Sequence, residues 1–299
     1  MIIFTFPNYK FMLPEILNKI PGLKSGGFSI NRFSNQEIYV SLNSEVANQD
    51  CLILGSISPP EQNLFSLLLL ADTLKKQEAL STTVCLPYLS YGRADRDEYN
   101  KSLTIKWIGR LFKASSVDKL ITFEAHSQLD QKLFPIPLIS ISTSEIFAKQ
   151  IIKLSLEKYS LVSPDEGAID LCQVTANLIN SAQPIAYFKK KRDKKGIIHS
   201  TLIGKVRPQV IILDDILDTG ATLLSCTSQL AKVGVNNIVI MVTHGLFTGS
   251  KWKKLWQNNV TEIYSTDTTQ PRKDLDLKKI KILPMASFIA EKLKYYLNL

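Results

Sequence analysis

The sequence predicts an α/β fold of two similar domains, each a mostly parallel sheet flanked by helices. Short runs of β-branched and apolar residues alternate with segments whose apolar residues recur every three or four positions, as in helices. Strands that alternate with helices form parallel sheets covered on both faces. The alternation occurs twice along 299 residues, a length that suits two domains of ordinary size better than one.

The first half of the chain contains six predicted strands and two predicted helices. Strand-forming runs cover residues 2–6, 38–42, 51–55, 83–87, 120–123 and 138–141. Apolar residues with helical spacing cover 60–76 and 104–113. We therefore predict an N-terminal domain over residues 1–145.

The second half of the chain repeats this pattern. Strands are predicted over residues 161–163, 184–188, 210–213, 238–243 and 263–264, and helices over 168–179 and 222–233. The halves meet near residues 143–150 without a linker rich in glycine or serine, so we predict the C-terminal domain over 146–299. A last helix over 285–297 can pack on either domain.

The composition indicates a folded, soluble protein. Hydrophobic residues make up 45% and charged residues 21% of the chain, which is the profile of a globular protein. No apolar run approaches the length that spans a bilayer, and the N-terminus lacks the pattern of a signal peptide. Because no run is long enough to span a bilayer, we expect no membrane partner. The four cysteines are far apart and lie mostly among apolar neighbours, so we expect free buried thiols and a cytoplasmic location.

The net charge of +9 suits either a nucleic-acid partner or an enzyme whose ligands are phosphorylated. Basic residues cluster at 189–195, 251–254 and 272–281, and none of these clusters forms a known nucleic-acid-binding module. We predict solvated surfaces for the second and third clusters and no nucleic-acid partner.

The functional signal lies where a buried strand joins an amphipathic helix. Asp214 and Asp215 appear as the apolar run ends, and Asp218 begins a stretch of small and hydroxylated residues at the helix N-terminus. Free backbone N–H groups and the helix dipole bind phosphate at such a place. Carboxylates accept hydrogen bonds from vicinal hydroxyls, so the acidic pair suits a ribose whose 5-phosphate lies in the loop.

A helix capped by Asp218 is the simpler alternative, but it explains one aspartate and not three. We therefore predict a ribose 5-phosphate site on this segment. The residues predicted to bind are Asp214, Asp215, Asp218, Thr219, Gly220, Ala221 and Thr222.

This segment, DDILDTGAT, resembles the PRPP-binding loop of the phosphoribosyltransferase superfamily. That superfamily includes transferases that consume PRPP and ribose-phosphate diphosphokinases (PRPP synthetases) that make it. A salvage transferase usually has one α/β domain and a small hood, whereas this chain has a complete α/β half before the half with the loop. The resemblance to the synthetases runs through nearly all residues, and the order and spacing of the motifs agree.

The resemblance implies ATP-binding residues in the first half. The stretch with Phe33, Asn35 and Glu37 is similar to a synthetase segment that contacts adenine, often across a subunit interface. Residues 86–96 are similar to a segment that contacts ATP phosphates, which implies ATP-binding roles for Arg93 and Asp95.

The resemblance also implies Mg²⁺ as the cofactor. His126 follows Glu124-Ala125 in a segment similar to a family motif whose histidine helps to hold Mg²⁺ bound to ATP. Asp165 lies in a stretch similar to a Pro-Asp-x-Gly loop that meets the diphosphate and its metal. His244 also matches a family position, and both a direct role and a structural role remain open for it.

Lys190 and Arg192 are the residues that the resemblance implies in catalysis. In the family, a Lys-x-Arg pair at this point lies on a mobile loop that closes over the transferring phosphate. Extended backbone places these two positions on the same side. Lys189 or Lys191 takes the role if the register differs by one residue.

The implied reaction transfers diphosphate from MgATP to the 1-hydroxyl of ribose 5-phosphate, giving PRPP and AMP, in a dimer-based homo-oligomer. Two alternatives remain: a catalytically weak, synthetase-like regulatory subunit, and a PRPP-consuming phosphoribosyltransferase. The ATP half departs from the family pattern at Gln36, where glycine is common, at Ala94, which replaces a glutamine, and at Glu124 and Ala125.

Overall fold

The computed structural model describes residues 1–94, 99–127, 132–192, 198–270, 274–276 and 278–299, without the side chains of residues 190–192, 198 and 199. This part of the chain divides into two compact units. The first combines Met1–Ile141 with Met285–Leu299, and the second is Ser142–Pro284. The last helix, which the sequence left unassigned, therefore belongs to the first unit.

The first unit is built on a parallel sheet. Its described strands are β1 (Ile2–Thr5), β2 (Lys24–Ser25), β3 (Phe28–Arg32), β4 (Ile38–Leu42), β5 (Asp50–Leu54), β6 (Ser81–Leu86), β7 (Lys119–Phe123) and β8 (Leu138–Ile141). Six of them pair in parallel in the order β2-β1-β5-β6-β7-β8, and β3 and β4 form a separate antiparallel ribbon.

Helices of the first unit form where apolar residues share one face. The α-helices that the structure describes from end to end here are α1 (Leu13–Lys19), α2 (Gln62–Lys76), α3 (Thr104–Ala114) and the final helix (Ala286–Leu297). In α2, Leu67, Leu70 and Leu74 recur at spacings of three and four and are fully buried. The final helix packs on α1, and its Phe288 ring lies 6.0 Å from the Phe123 ring of β7.

The second unit contains a larger, mostly parallel sheet. Its described strands are β9 (Ser160–Ser163), β10 (Ala186–Arg192), β11 (Ile198–Ile203), β12 (Gln209–Leu217), β13 (Asn237–Gly245), β14 (Val260–Thr266) and β15 (Ile280–Leu283). They lie in the order β11-β10-β9-β12-β13-β14-β15, and the pairing of β10 with β11 is antiparallel. The described helices are α4 (Ser144–Lys153), α5 (Ile169–Leu178) and α6 (Ala221–Lys232).

Strand β12 shows why its residues form a central strand. Val210 and Ile212 belong to an apolar cluster with residues of α6, whereas Ile211 and Leu213 belong to a second cluster with residues of α4 and α5. Alternate residues therefore pack on opposite faces of the sheet. Both units are mostly parallel sheets flanked by helices, so the predicted fold class is confirmed.

Several strands extend beyond their predicted ends towards the candidate site. Strand β12 continues to Leu217 instead of ending at Leu213, because Ile216 and Leu217 pair with residues of β13. Strand β10 continues to Arg192, paired with β11, beyond its predicted end at residue 188. Neighbouring strands supply backbone partners at these positions, so the strands continue although they include charged residues such as Asp214 and Lys189.

The four cysteines, Cys51, Cys85, Cys172 and Cys226, are all buried, as predicted. Burial raises the pKa of Cys85 to about 12. Burial, together with the charge of Asp50, raises the pKa of Cys51 to about 11. Among the helices that the structure describes, none is long and apolar enough to cross a membrane.

Candidate active site

The predicted ribose-phosphate residues lie at the carboxyl edge of the second sheet. Strand β12 lies between β9 and β13 and is parallel to both. Asp165 follows β9, and the ribose-phosphate loop (residues 214–222) includes the last residues of β12 and the start of α6. In open α/β sheets, ligands bind outside the carboxyl ends of the strands.

Asp214, Asp215 and Asp165 form an acidic cluster. Asp214 is only 7% exposed, and its Oδ1 accepts a hydrogen bond from the backbone N–H of Asp215 at 3.0 Å. Burial raises the pKa of Asp214 well above its usual range, and the negative charges of Asp215 and Asp165 raise it further. A ligand that donates hydroxyl hydrogen bonds to the cluster, or a cation beside it, would therefore be stabilised there.

The turn of Asp165 is fixed by local hydrogen bonds. Its Oδ1 accepts a hydrogen bond from the backbone N–H of Gly167 at 3.0 Å, and its carbonyl oxygen accepts one from the hydroxyl of Ser163 at 2.5 Å. Both bonds join residues two apart, so they hold the aspartate at the end of β9 through its own turn.

Helix α6 begins at Ala221, and its N-cap is Gly220, in the left-handed conformation with φ of +80°. The alternative in which Asp218 is the N-cap of this helix is wrong, because Gly220 occupies that position. The first N–H groups of a helix have no partner within the helix. Thr219 is exposed and Thr222 is half-buried beside this helix start.

Sequence reasoning missed the support behind the loop. A Cβ atom added to Gly220 would lie 2.9 Å from both Cα and Cβ of Trp252. Trp252 is only 4% exposed and belongs to the 3₁₀ helix Lys251–Gln257. The first four residues of this helix are the basic cluster 251–254, which the sequence predicted as a solvated surface. The lysines of this segment are exposed. The spacing of Trp252, Leu255 and Trp256 by three and four residues was the available signal of a buried side.

His244 lies at the end of β13 in a network of buried hydroxyl groups. It is 1% exposed, and its Nδ1 lies 2.9 Å from Oγ1 of Thr268. The Thr268 hydroxyl donates to the carbonyl of Thr243 at 3.0 Å and lies 2.8 Å from Oγ1 of Thr266. These contacts favour the structural role of the two that the sequence left open.

Lys190 and Arg192 lie in β10, where they pair with Ser200 and Ile198 of β11. Their side chains are outside the described part of the structure, as are residues 193–197. Strand alternation places positions 190 and 192 on one face of the strand. Because β10 is parallel to β9 and β9 to β12, its carboxyl end lies at the same sheet edge as the loop.

The predicted adenine-binding residues lie on the turn between β3 and β4. The exposed ring of Phe33 lies 4.5 Å from the ring of Tyr39, with 31° between their planes. The side-chain oxygen of Asn35 accepts a hydrogen bond from the N–H of Glu37 at 3.2 Å. Gln36 has φ of +72°. The glycine that is common here in the resemblance would adopt that conformation without strain.

Two further predicted residues follow neighbouring parallel strands of the first unit. Arg93 lies after β6 and His126 after β7, and both are exposed. Because these strands pair in parallel, the two residues follow carboxyl ends on the same edge of the sheet. Asp95, the remaining predicted ATP-binding residue, lies outside the described residues.

Mg²⁺, which the resemblance implies, prefers oxygen ligands, so Asp165 fits it better than His126. Among the residues that the structure describes, no three His, Cys, Asp or Glu side chains form a group that could hold a metal ion. Mg²⁺ usually keeps several waters and binds one or two carboxylates together with substrate phosphates. An ion delivered with ATP therefore requires few protein ligands.

Each of the two units is an α/β domain with a mostly parallel sheet, and in the second unit Asp214 and Asp215 lie near the end of β12, before the helix whose N-cap is Gly220. These features define a two-domain protein of the phosphoribosyltransferase fold class. The fold is similar to the crystal structure of phosphoribosylpyrophosphate synthetase from Mycobacterium smegmatis. The TM-score is 0.87 at 22% identity, and the likeness covers 100% of this chain and 99% of that one.

Sequence comparisons identify the family. Residues 1–115 match the N-terminal domain of ribose phosphate pyrophosphokinase, and residues 166–298 match the phosphoribosyl synthetase-associated domain. The ribose-phosphate pyrophosphokinase of Bradyrhizobium diazoefficiens is 30% identical over 268 residues, which are 88% of this chain and 84% of that protein. The Haemophilus influenzae protein of the same name is 28% identical over 295 residues, which are 95% of this chain and 93% of that protein.

The chain belongs to the ribose-phosphate pyrophosphokinase family. The family and the enzyme class predicted from the sequence are therefore confirmed.

Proposed function

We propose that this enzyme transfers the diphosphate group of ATP to the 1-hydroxyl of ribose 5-phosphate, giving PRPP and AMP. Family membership supports the reaction. The observation that carries the assignment of the acceptor is the acidic cluster beside a glycine-capped helix start. A phosphate site alone would not require the buried carboxylate of Asp214 beside it. A phosphorylated ribose uses the carboxylates for its hydroxyls and the helix start for its phosphate.

The second unit binds the acceptor. The backbone N–H groups of residues 218–222 and the dipole of α6 bind the 5-phosphate. The 2- and 3-hydroxyls donate hydrogen bonds to Asp214 and Asp215. Because burial and like charge disfavour the ionised form of Asp214 in the empty site, hydroxyl donors stabilise that form on binding. The hydroxyls of Thr219 and Thr222 add donors to the phosphate.

The first unit binds the donor. The exposed face of Phe33 stacks on adenine, and Asn35 and Glu37 contact the edge of the base. Arg93 and Asp95 contribute to binding the phosphate chain of ATP. His126 is a proposed ligand of Mg²⁺, which would polarise phosphoryl oxygens when it is bound. Asp165 of the second unit is the other proposed ligand.

The chemical step is a displacement at the β-phosphorus. The anomeric oxygen forms a bond to the β-phosphorus, the bond from this phosphorus to the α,β-bridging oxygen breaks, and AMP leaves with that oxygen. The anomeric proton passes to water. Such transfer depends on alignment and on positive charge around the transition state. Lys190 and Arg192 provide that charge.

The test incubates the purified protein with Mg²⁺, ATP and ribose 5-phosphate carrying ¹⁸O at the anomeric hydroxyl. We expect equal amounts of AMP and PRPP, with the label retained in PRPP as the oxygen between C1 and the β-phosphorus. Loss of the label beyond the exchange with water that a sample without enzyme shows would contradict the displacement. Binding of substrates without any AMP would favour the regulatory subunit, and consumption of added PRPP with a nucleobase would favour a transferase.

A dimer-based homo-oligomer remains a prediction. The implied adenine contacts across a subunit interface motivate it, since Phe33 is 55% exposed in one chain. Light scattering on the pure protein measures the mass, and a mass of one chain at micromolar concentration would contradict it.

A further inference from the structure

We propose that the turn after β13, residues 246–252 (the brace), is a positioning element that aims the backbone N–H groups of the ribose-phosphate loop, and that Trp252 holds it in place. The inference rests on the proposed function, because it takes ribose 5-phosphate as the ligand of this loop. It assigns a role to residues 246–252, which contact the ribose-phosphate loop but contain none of the aspartates of the acidic cluster.

The brace binds the loop through two carbonyl groups. The carbonyl oxygen of Leu217 accepts hydrogen bonds from the N–H groups of Leu246 at 2.9 Å and Phe247 at 3.0 Å. The carbonyl oxygen of Asp218 accepts one from the N–H of Thr248 at 3.1 Å. The brace therefore determines the direction of two consecutive carbonyl groups at the start of the phosphate-binding turn.

The direction of a carbonyl determines the direction of the next N–H. In a planar trans peptide, the C=O of one residue and the N–H of the following residue point opposite ways. With the carbonyls of Leu217 and Asp218 directed at the brace, the N–H groups of Asp218 and Thr219 point away from it. These are two of the donors that the proposed function assigns to the 5-phosphate.

Trp252 stabilises the shape of the brace. Its Nε1–H donates to the carbonyl oxygens of Phe247 at 3.2 Å and Gly249 at 3.1 Å, and its ring packs edge-on against Phe247 at 5.1 Å. Phe247 has φ of +50°, a left-handed conformation that a bulky residue rarely adopts. The indole N–H thus holds in place a turn that the backbone alone disfavours.

Trp252 also contacts the other end of the loop. Gly220, the N-cap of α6, lies so close to it that an added Cβ would be 2.9 Å from Cα of Trp252. The side chain of Trp252 therefore supports the brace, which binds the carbonyls of Leu217 and Asp218. The backbone of Trp252 lies against Gly220 at the start of α6. A loop held at both ends is formed before the ligand arrives, which raises affinity because less ordering accompanies binding.

The test compares Trp252→Phe with Trp256→Phe by calorimetry. The first change keeps an aromatic ring and removes the N–H donor. The second alters a tryptophan of the same 3₁₀ helix, whose ring lies 5.3 Å from the ammonium group of Lys279. We expect Trp252→Phe to weaken ribose 5-phosphate binding about 5- to 20-fold, as for the loss of a hydrogen bond to a buried carbonyl such as that of Phe247. The affinity of Trp252→Phe for ATP should stay within about twofold of that of the unaltered protein. In Trp256→Phe, the affinities for ribose 5-phosphate and for ATP should both stay within about twofold.

Equal loss in both variants, or unchanged ribose 5-phosphate affinity in Trp252→Phe, would overturn the brace. If Trp252→Phe does not fold, hydrogen exchange in the unaltered, ligand-free protein decides. The amides of Leu246, Phe247 and Thr248 should be protected like those of β13, and rapid exchange there would overturn the proposal. A protein that binds ribose 5-phosphate but makes no PRPP would refute the proposed reaction and leave the brace standing. Absence of binding would refute both.

Discussion

The buried carboxylate of Asp214 accepts a hydrogen bond from the backbone N–H of Asp215, a residue that itself carries a negative charge. Burial, then the charges of Asp215 and Asp165, raise the pKa of Asp214 well above its usual range. The folded protein therefore binds this proton more tightly than the unfolded chain does. The resulting stability is fully present below the unfolded pKa of about 4 and is lost as pH rises through the folded pKa.

We expect Asp214→Asn to raise the free energy of unfolding of the ligand-free protein at neutral and higher pH. The gain should exceed about 1 kcal/mol at pH 8 and be smaller at pH 5, because the ionised carboxylate is the form that is disfavoured. Urea unfolding with EDTA present measures it. Asp72→Asn, on the exposed face of α2, is the control for removal of a negative charge. A gain that did not grow with pH would contradict the assignment.

Gly220→Ala should destabilise the protein more than Gly234→Ala. Both glycines are left-handed, with φ of +80° and +91°, so each change costs about 1–2 kcal/mol in backbone strain. A Cβ on Gly220 would also meet Trp252 at 2.9 Å, whereas a Cβ on Gly234 meets nothing within 4 Å. The difference between the variants in urea unfolding should be about 1–3 kcal/mol, as for overpacking. Equal losses of unfolding free energy in the two variants would mean that Trp252 moves aside without measurable strain.

Gln36→Gly should stabilise the turn between β3 and β4. Its φ of +72° is unfavourable for glutamine, and the gain should be about 0.5–1 kcal/mol after the greater chain entropy of glycine is subtracted. The hydrogen bond from Arg32 Nη1 to the carbonyl of Gln36, at 2.6 Å, involves backbone and would remain. Gln77→Gly is the control, because φ there is −93° and glycine only destabilises. Thermal unfolding that ranks the variants the other way would refute this account.

Lys190→Ala should lower kcat by about 10²- to 10⁵-fold, as for other residues that neutralise charge in phosphoryl transfer. The KM values should change less, because the charge develops mainly in the transition state. Lys189→Ala is the matched control, since Lys189 is exposed and adjacent positions of a strand lie on opposite faces. If Lys189→Ala were the more damaging change, the catalytic register would be shifted by one residue. Retention of more than about a tenth of kcat by Lys190→Ala would exclude its role.

Residue patterns located the elements that bury apolar side chains. Strands β4 and β8 have the predicted bounds, and α6 lies within one residue of its prediction, because their periodicity reports directly on burial. The ends of β10 and β12 were missed. They carry charged residues, and their continuation depends on pairing with neighbouring strands rather than on side-chain pattern.

By itself, the sequence determined the parallel α/β fold, the family and the loop with its three aspartates, because these follow from local order and composition. Only the tertiary structure shows that Asp165 is close enough to Asp214 for its charge to raise the pKa of Asp214, and that Trp252 lies against Gly220. Those neighbours depend on β9 and β13 lying on either side of β12. Strand order in a sheet is settled by packing among distant segments, which local periodicity does not encode.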